Sequence, residues 1–237
     1  VKKKETEAIM KLSVAENLIS HMEGSIDSTN KKLQETEEKL KLFATYKVCG
    51  DSIREPTYQI VVSRYNEDIE WTRQFKNVLL YNKGGPLNYL HFRLPNVGRS
   101  AHTFYYHICN NYEKLADYTI FLQGYPFDHS PNLVKNIKNF IKNPTIDFAF
   151  LSENIKKYDI EGGTNYPLPL KDTYVKIFGP ERWGASSFGR GGQFVVSKEA
   201  IHRRPVNFYS KIVKMLEYDV HPAESDCLER FHKLIFI

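Results

Sequence analysis

The hydrophobic pattern changes character once along the chain. Over residues 1 to about 43, Leu12, Ile19, Ile26, Leu33 and Leu40 recur every seven residues, with Ala15, Met22, Thr29, Thr36 and Phe43 as the second row. A sustained seven-residue repeat is the seam of a coiled coil, because a straight helix drifts out of register with it. The second row is polar in its middle, so the seam predicts a short or conditional homo-oligomer, or else a solvated helix lying on the domain. The pattern breaks at Val48-Cys-Gly-Asp-Ser52, and Pro56 closes a linker over residues 48 to 57. The expected organisation is a helical coiled-coil arm over 1–47, that linker, and one α/β domain over 58–237.

From Tyr58 onward, strand-like runs alternate with helical ones. Tyr58 to Val62 reads as a strand, followed by about two helical turns carrying Ile69, Trp71 and Phe75. Val78 to Tyr81 is a second strand, and Ser100 can N-cap a helix running to about Tyr112. Tyr118 to Leu122, β-branched and aromatic without a charge, reads as a buried central strand. A helix over Pro131 to Ile141 and a strand over Asp147 to Leu151 follow. Residues 153 to 182 are rich in Gly, Pro and Tyr and read as a long irregular segment. A Gly-rich stretch from Trp183 feeds a strand over Gln193 to Val196. Ser197 then caps a short helix, Pro205 opens another, and Pro222 begins the last. This rhythm implies a mostly parallel sheet covered on both faces.

In such sheets ligands bind beyond the carboxyl ends of the strands. The Tyr118 strand empties into Gln123-Gly124 and turns through Pro126 to Asp128 and His129, which makes it a candidate site floor or a polar turn over a core strand. The first strand ends in Ser63, Arg64 and Glu67, where a nucleoside would bind or where Arg64 and Glu67 would form a surface ion pair. Lys83, Arg99 and Arg190 sit in Gly-flanked loops, which suits a diphosphate leaving group or plain solvated charge. His221-Pro-Ala-Glu-Ser-Asp226 opens the last helix, so Glu224 is either a general base or an acid favoured by the helix dipole. The chain has no GxGxxG and no P-loop, which argues against a dinucleotide and a Walker-type site.

Bulk properties narrow the partner. The 237-residue chain has a net charge of +5 spread along its length, and 15 Tyr with 15 Phe. Dispersed basic charge fits an anionic small molecule better than nucleic acid. The aromatic content suits sugar or base stacking as well as an aromatic core. Three cysteines without CxxC spacing read as free thiols rather than a zinc site. No apolar run reaches the length of a membrane helix, and with the free thiols this gives a cytoplasmic expectation.

The stretches VVSRYNED, LLYNKG, LPNVGRSAHT, YTIFLQGYPFDH and GRGGQFVVSKEAI resemble a domain family of fungi, bacteria and large viruses. Within it the chain looks like the capsid-glycan glycosyltransferases of chlorella viruses, among them a β-xylosyltransferase. The resemblance covers about residues 58 to 237 and implies a GT-A-type fold acting on a UDP-sugar. In that fold the strand bearing Leu122 would end in Asp-x-Asp and hold Mn²⁺; this chain has Gln123-Gly124 there. A metal (Mn²⁺ or Mg²⁺) is therefore not expected to be required, and the basic loops become the diphosphate partners. Pro222-Ala223-Glu224 is similar to the Pro-x-Glu of metal-independent members, whose Glu is the base.

The expectation is thus an inverting glycosyltransferase with UDP-xylose as the first donor and a glycan hydroxyl as acceptor. Ser63, Arg64 and Glu67 would hold the nucleoside, and Lys83 and Arg99 the diphosphate. Gln123, Asp128, His129, Trp183 and Arg190 would meet the donor or acceptor sugar, with Glu224 as base. The alternative is a glycan-binding scaffold that keeps the fold without the chemistry.

Overall fold

The computed structural model describes residues 55 to 142, 144, 146 to 159, 168 to 180 and 184 to 237, with helical positions between residues 19 and 34. It divides into two compact units, Val1–Glu55 and Pro56–Ile237. In the first unit Ile19, Met22, Ile26 and Leu33 are helical and each more than half exposed. Leu12, Ala15, Thr36, Leu40 and Phe43 of the heptad rows, and the break at residues 48 to 52, lie outside the described residues.

The second unit is a mixed α/β layer structure. Its main sheet has the strands β1 (Tyr58–Arg64), β2 (Val78–Asn82), β3 (Phe92–Arg93), β4 (Tyr118–Gln123), β5 (Phe148–Phe150) and β8 (Phe194–Ser197), in the order β3-β2-β1-β4-β8-β5. β1 pairs in parallel with β2 and β4, and β2 with β3. β8 runs antiparallel between β4 and β5. A separate hairpin-like pair joins β6 (Ile155–Tyr158) to β7 (Ser186–Gly189). The helices are α1 (Arg99–Asn111), α2 (Leu133–Lys142), α3 (Leu170–Phe178), α4 (Lys198–His202), α5 (Val206–Met215) and α6 (Ala223–Phe236).

Strand alternation builds two cores. Val61, Phe121, Phe194 and Val196 face one side, under residues of α1, α5 and α6 such as Phe104, Tyr209 and Phe231. Ile60, Val62, Ile120, Leu122 and Val195 face the other, against Leu133 and Ile137 of α2. Because both faces are covered, the middles of the central strands, residues 60 to 62 of β1 and 120 to 122 of β4, are uninterrupted apolar runs.

Several elements depart from expectation. The two turns after β1 are a single 3-10 helix, Glu70–Gln74. The irregular segment holds β6 and α3, with Ile155, Lys156 and Lys157 exposed and therefore without an apolar signal. Ser100 is not the N-cap of α1. The chain enters that helix through Gly98 (φ 61°) and Arg99 (φ 51°), both left-handed. Ser197 does cap α4, accepting from the Ala200 N–H.

Candidate active site

The strand order reverses between β1 and β4, so the connections leave their carboxyl ends in opposite directions and open a crevice there. That crevice holds a cavity of about 420 Å³ lined by Ser63, Arg64, Tyr65, Glu67, Lys83, Asn96, Arg99, Ser100, Gln123, Tyr125, Val220 and His221. Six residues expected at the site, Ser63, Arg64, Glu67, Lys83, Arg99 and Gln123, meet in this one cavity.

The wall after β1 is built by polar stapling. Arg64 is buried and donates through Nε to the Glu67 carbonyl (2.9 Å) and through Nη1 to Asn82 Oδ1 (2.9 Å) and the Tyr65 carbonyl (3.1 Å). It is bound to the backbone of Glu67, not to its carboxylate. Glu67 Oε2 accepts from the Tyr65 N–H (2.6 Å). Trp71 Nε1 donates to the Gly124 carbonyl (2.9 Å), which fixes the turn after Gln123. Ser63 Oγ lies 2.8 Å from Thr103 Oγ1, tying β1 to α1. Asn82 binds the turn after β2 through the Gly84 N–H (3.1 Å) and the Gly85 carbonyl (2.9 Å). A Cβ at Gly84 would sit 1.5 Å from the Tyr65 carbonyl oxygen, so only glycine lets the two loops close together.

Lys83 is 8% exposed, and its Nζ donates to the carbonyls of Val97 (2.6 Å) and Arg99. Among the described residues no salt bridge reaches this ammonium. Burial pushes its pKa down to about 7. Behind it His102 is neutral, its pKa lowered to about 4 by burial and then by the Lys83 charge.

Arg99 closes the far wall. The Gly98 N–H donates to Asp219 O (2.9 Å) and the Arg99 N–H to Val220 O (3.3 Å), which zips the entry of α1 to the loop before α6. Arg99 Nη1 donates to Asp226 Oδ1 at 3.1 Å. A non-glycine residue in the left-handed region is costly. Here that conformation directs the guanidinium to the cavity rim.

The remaining expected residues fall around this cavity or away from it. Arg190 and Gly191-Gly192 precede β8; since β8 is antiparallel, they lie at the same sheet edge as Gln123. Gly191 has φ 82°, and a Cβ there would meet His129 Cδ2 at 2.8 Å, so His129 packs against that turn. Arg190 and Asp128 are exposed and do not line the cavity. Trp183 lies outside the described residues.

Glu224 does not line the cavity either. Its carboxylate accepts from Lys176 Nζ of α3 (2.9 Å) and from the Tyr218 hydroxyl (2.7 Å). Burial alone would raise its pKa, but these two hydrogen bonds outweigh that and hold it below the ordinary range. On this geometry Glu224 ties α6 to α3. Tyr65 and Tyr125, each about half exposed at the cavity, went unremarked in the sequence; an aromatic within two residues of the end of β1 and of β4 was the available signal. Among the described residues no group of three or more His, Cys, Asp or Glu is placed to hold a metal, and no helix is long and apolar enough to cross a membrane. No family model, curated protein or solved structure matches the chain.

Proposed function

We propose that the chain is a glycosyltransferase that binds a UDP-sugar in the β1–β4 crevice and transfers the sugar to a glycan hydroxyl. One observation carries the reading: a cavity of nucleotide size at the strand-order reversal, walled by the buried Lys83, which among the described residues has no carboxylate partner. A diphosphate supplies the charge that Lys83 lacks, and Arg99 and the first turn of α1 complement it. Tyr65 and Tyr125 offer flat apolar faces to the uracil or the sugar, and Ser63 and Glu67 offer oxygens to ribose hydroxyls. Arg64 acts through the loop it staples. The fixed positive charge stabilises UDP as the glycosidic bond breaks. The sequence resemblance selects UDP-xylose as the first donor to test and inversion as the stereochemical outcome.

The experiment is thermal melting with UDP, UDP-xylose, UDP-glucose and GDP-mannose, each in EDTA and in Mn²⁺. A ligand that binds only the folded state raises the midpoint with its concentration. We expect a rise with the UDP compounds that survives EDTA. No rise with any nucleotide in either condition would refute the transferase and favour a glycan-binding scaffold.

A further inference from the structure

Helix α6 carries three acids near the cavity, and the structure distributes them to different neighbours. Residues 224 and 226 are about 200° apart around a helix, whereas 226 and 229 share a face. Glu224 is taken up by Lys176 and Tyr218, and Asp226 by Arg99. The Glu229 carboxylate joins no hydrogen bond or salt bridge among the described residues. Its side chain lies over the glycine turn that starts β8: a Cβ on Gly192 would meet Glu229 Cγ at 3.7 Å and Oε2 at 4.0 Å.

The register places that turn beside the cavity floor. Ser63 pairs with Gln123 across β1 and β4. The β4–β8 pairing runs from Tyr118↔Ser197 to Phe121↔Phe194, so the turn that leads into β8 lies at the carboxyl end of β4, the end that carries Gln123. Ser63 and Gln123 therefore stand side by side at the carboxyl ends of β1 and β4, with the Arg190–Gly192 turn beyond them on the β8 side. Ser63 and Gln123 line the cavity, and Glu229 lies over Gly192 of that turn. A nucleoside over β1 with its diphosphate at Lys83 and Arg99 leaves the sugar to extend toward β4 and the turn before β8, the side on which Glu229 lies.

From this geometry we propose that Glu229 is the catalytic base that takes the acceptor's proton, an assignment that rests on the transferase reading above. The acceptor oxygen bonds to the anomeric carbon as the bond from that carbon to the diphosphate oxygen breaks. The bonding pair leaves on UDP, and the hydroxyl proton passes to the Glu229 carboxylate, which later returns it to water. Burial raises the Glu229 pKa, partly offset by Arg230; Asp226 raises it further, while Arg99 and Arg190 lower it. A carboxylate so raised is a stronger proton acceptor than an ordinary surface glutamate.

The test compares wild type, Glu229→Gln, Glu229→Asp and Glu224→Gln. It measures UDP-induced melting shifts and the rate of UDP release from UDP-xylose and UDP-glucose, with a panel of methyl glycosides as acceptors. Glu229→Gln is expected to keep the UDP shift, lose roughly 10²–10⁴-fold in rate and lose the acidic limb of the pH–rate profile. Glu229→Asp, which keeps the charge on a shorter side chain, should fold, bind UDP and retain a slower, pH-dependent rate. Glu224→Gln should keep its rate. Equal rates in Glu229→Gln and wild type, or a large loss in Glu224→Gln with the UDP shift intact, would overturn the assignment alone. A wild type that neither binds UDP nor releases it from either donor would overturn the transferase reading itself.

Discussion

The Lys83 ammonium is held by the Val97 and Arg99 carbonyls at the cavity wall, and among the described residues no salt bridge reaches it. Its pKa of about 7, against an ordinary 10.5, reflects the cost of burying that charge. The sign of the consequence follows. Between about pH 7 and 10.5 the unfolded chain keeps a proton on this lysine that the folded chain has released, so its contribution to stability rises with pH across that window. The melting midpoint of the free protein should therefore rise from pH 7 to pH 9 relative to that of Lys83→Met. Ligand has the opposite dependence. A bound diphosphate restores the proton, so UDP affinity should weaken above pH 7 by up to about tenfold per pH unit, a slope that Lys83→Met should abolish in titration calorimetry. That Lys83, Arg99 and Gln123 would meet in one crevice was legible because the loops after parallel strands open at one sheet edge. Glu229 was not, since only the packing of the last helix decides which of its acids meets that edge.

At the scale of elements, the site depends on loops that close because particular residues let them. Gly84 is the tightest case, with the Tyr65 carbonyl where a side chain would go. Gly84→Ala should separate the β1 and β2 loops and cost about 2 kcal/mol or more, roughly 4–8 °C in melting midpoint, with loss of the UDP shift. The paired zip from Gly98 and Arg99 to Asp219 and Val220 makes the cavity wall a joint product of α1 and α6. The parallel strands β1, β2 and β4 and most helices could be read from periodicity, since Tyr58, Val78 and Tyr118 each begin a run that the core requires, whereas the two-residue parallel strand β3 falls in a stretch read as loop. The antiparallel sense of β8 could not, because an apolar strand looks the same in either direction. Strands β6 and β7 were hidden by exposed lysines and half-buried serines, and the entry of α1 by a serine that resembles a cap while Gly98 holds that position.

At the scale of the whole molecule, the unit Pro56–Ile237 contains both cores and the whole cavity. A fragment starting at Pro56 should therefore fold and bind UDP with the affinity of the full chain; a fragment that melts cooperatively but binds tenfold more weakly would assign the arm a part in the site. If the exposed seven-residue row Ile19, Ile26 and Leu33 pairs with a second copy, the full chain should sediment at twice its monomer mass while the fragment sediments at its own monomer mass. The central claim is that the crevice holds a nucleoside diphosphate through Lys83. Titration calorimetry of UDP into wild type and Lys83→Met, in EDTA at pH 6.5, tests it most directly. The account predicts saturable binding to wild type and a loss of about 10–100-fold in the variant, the worth of a charge-assisted hydrogen bond. Equal affinity in the two proteins, or no binding of UDP to wild type at millimolar concentration, would contradict it.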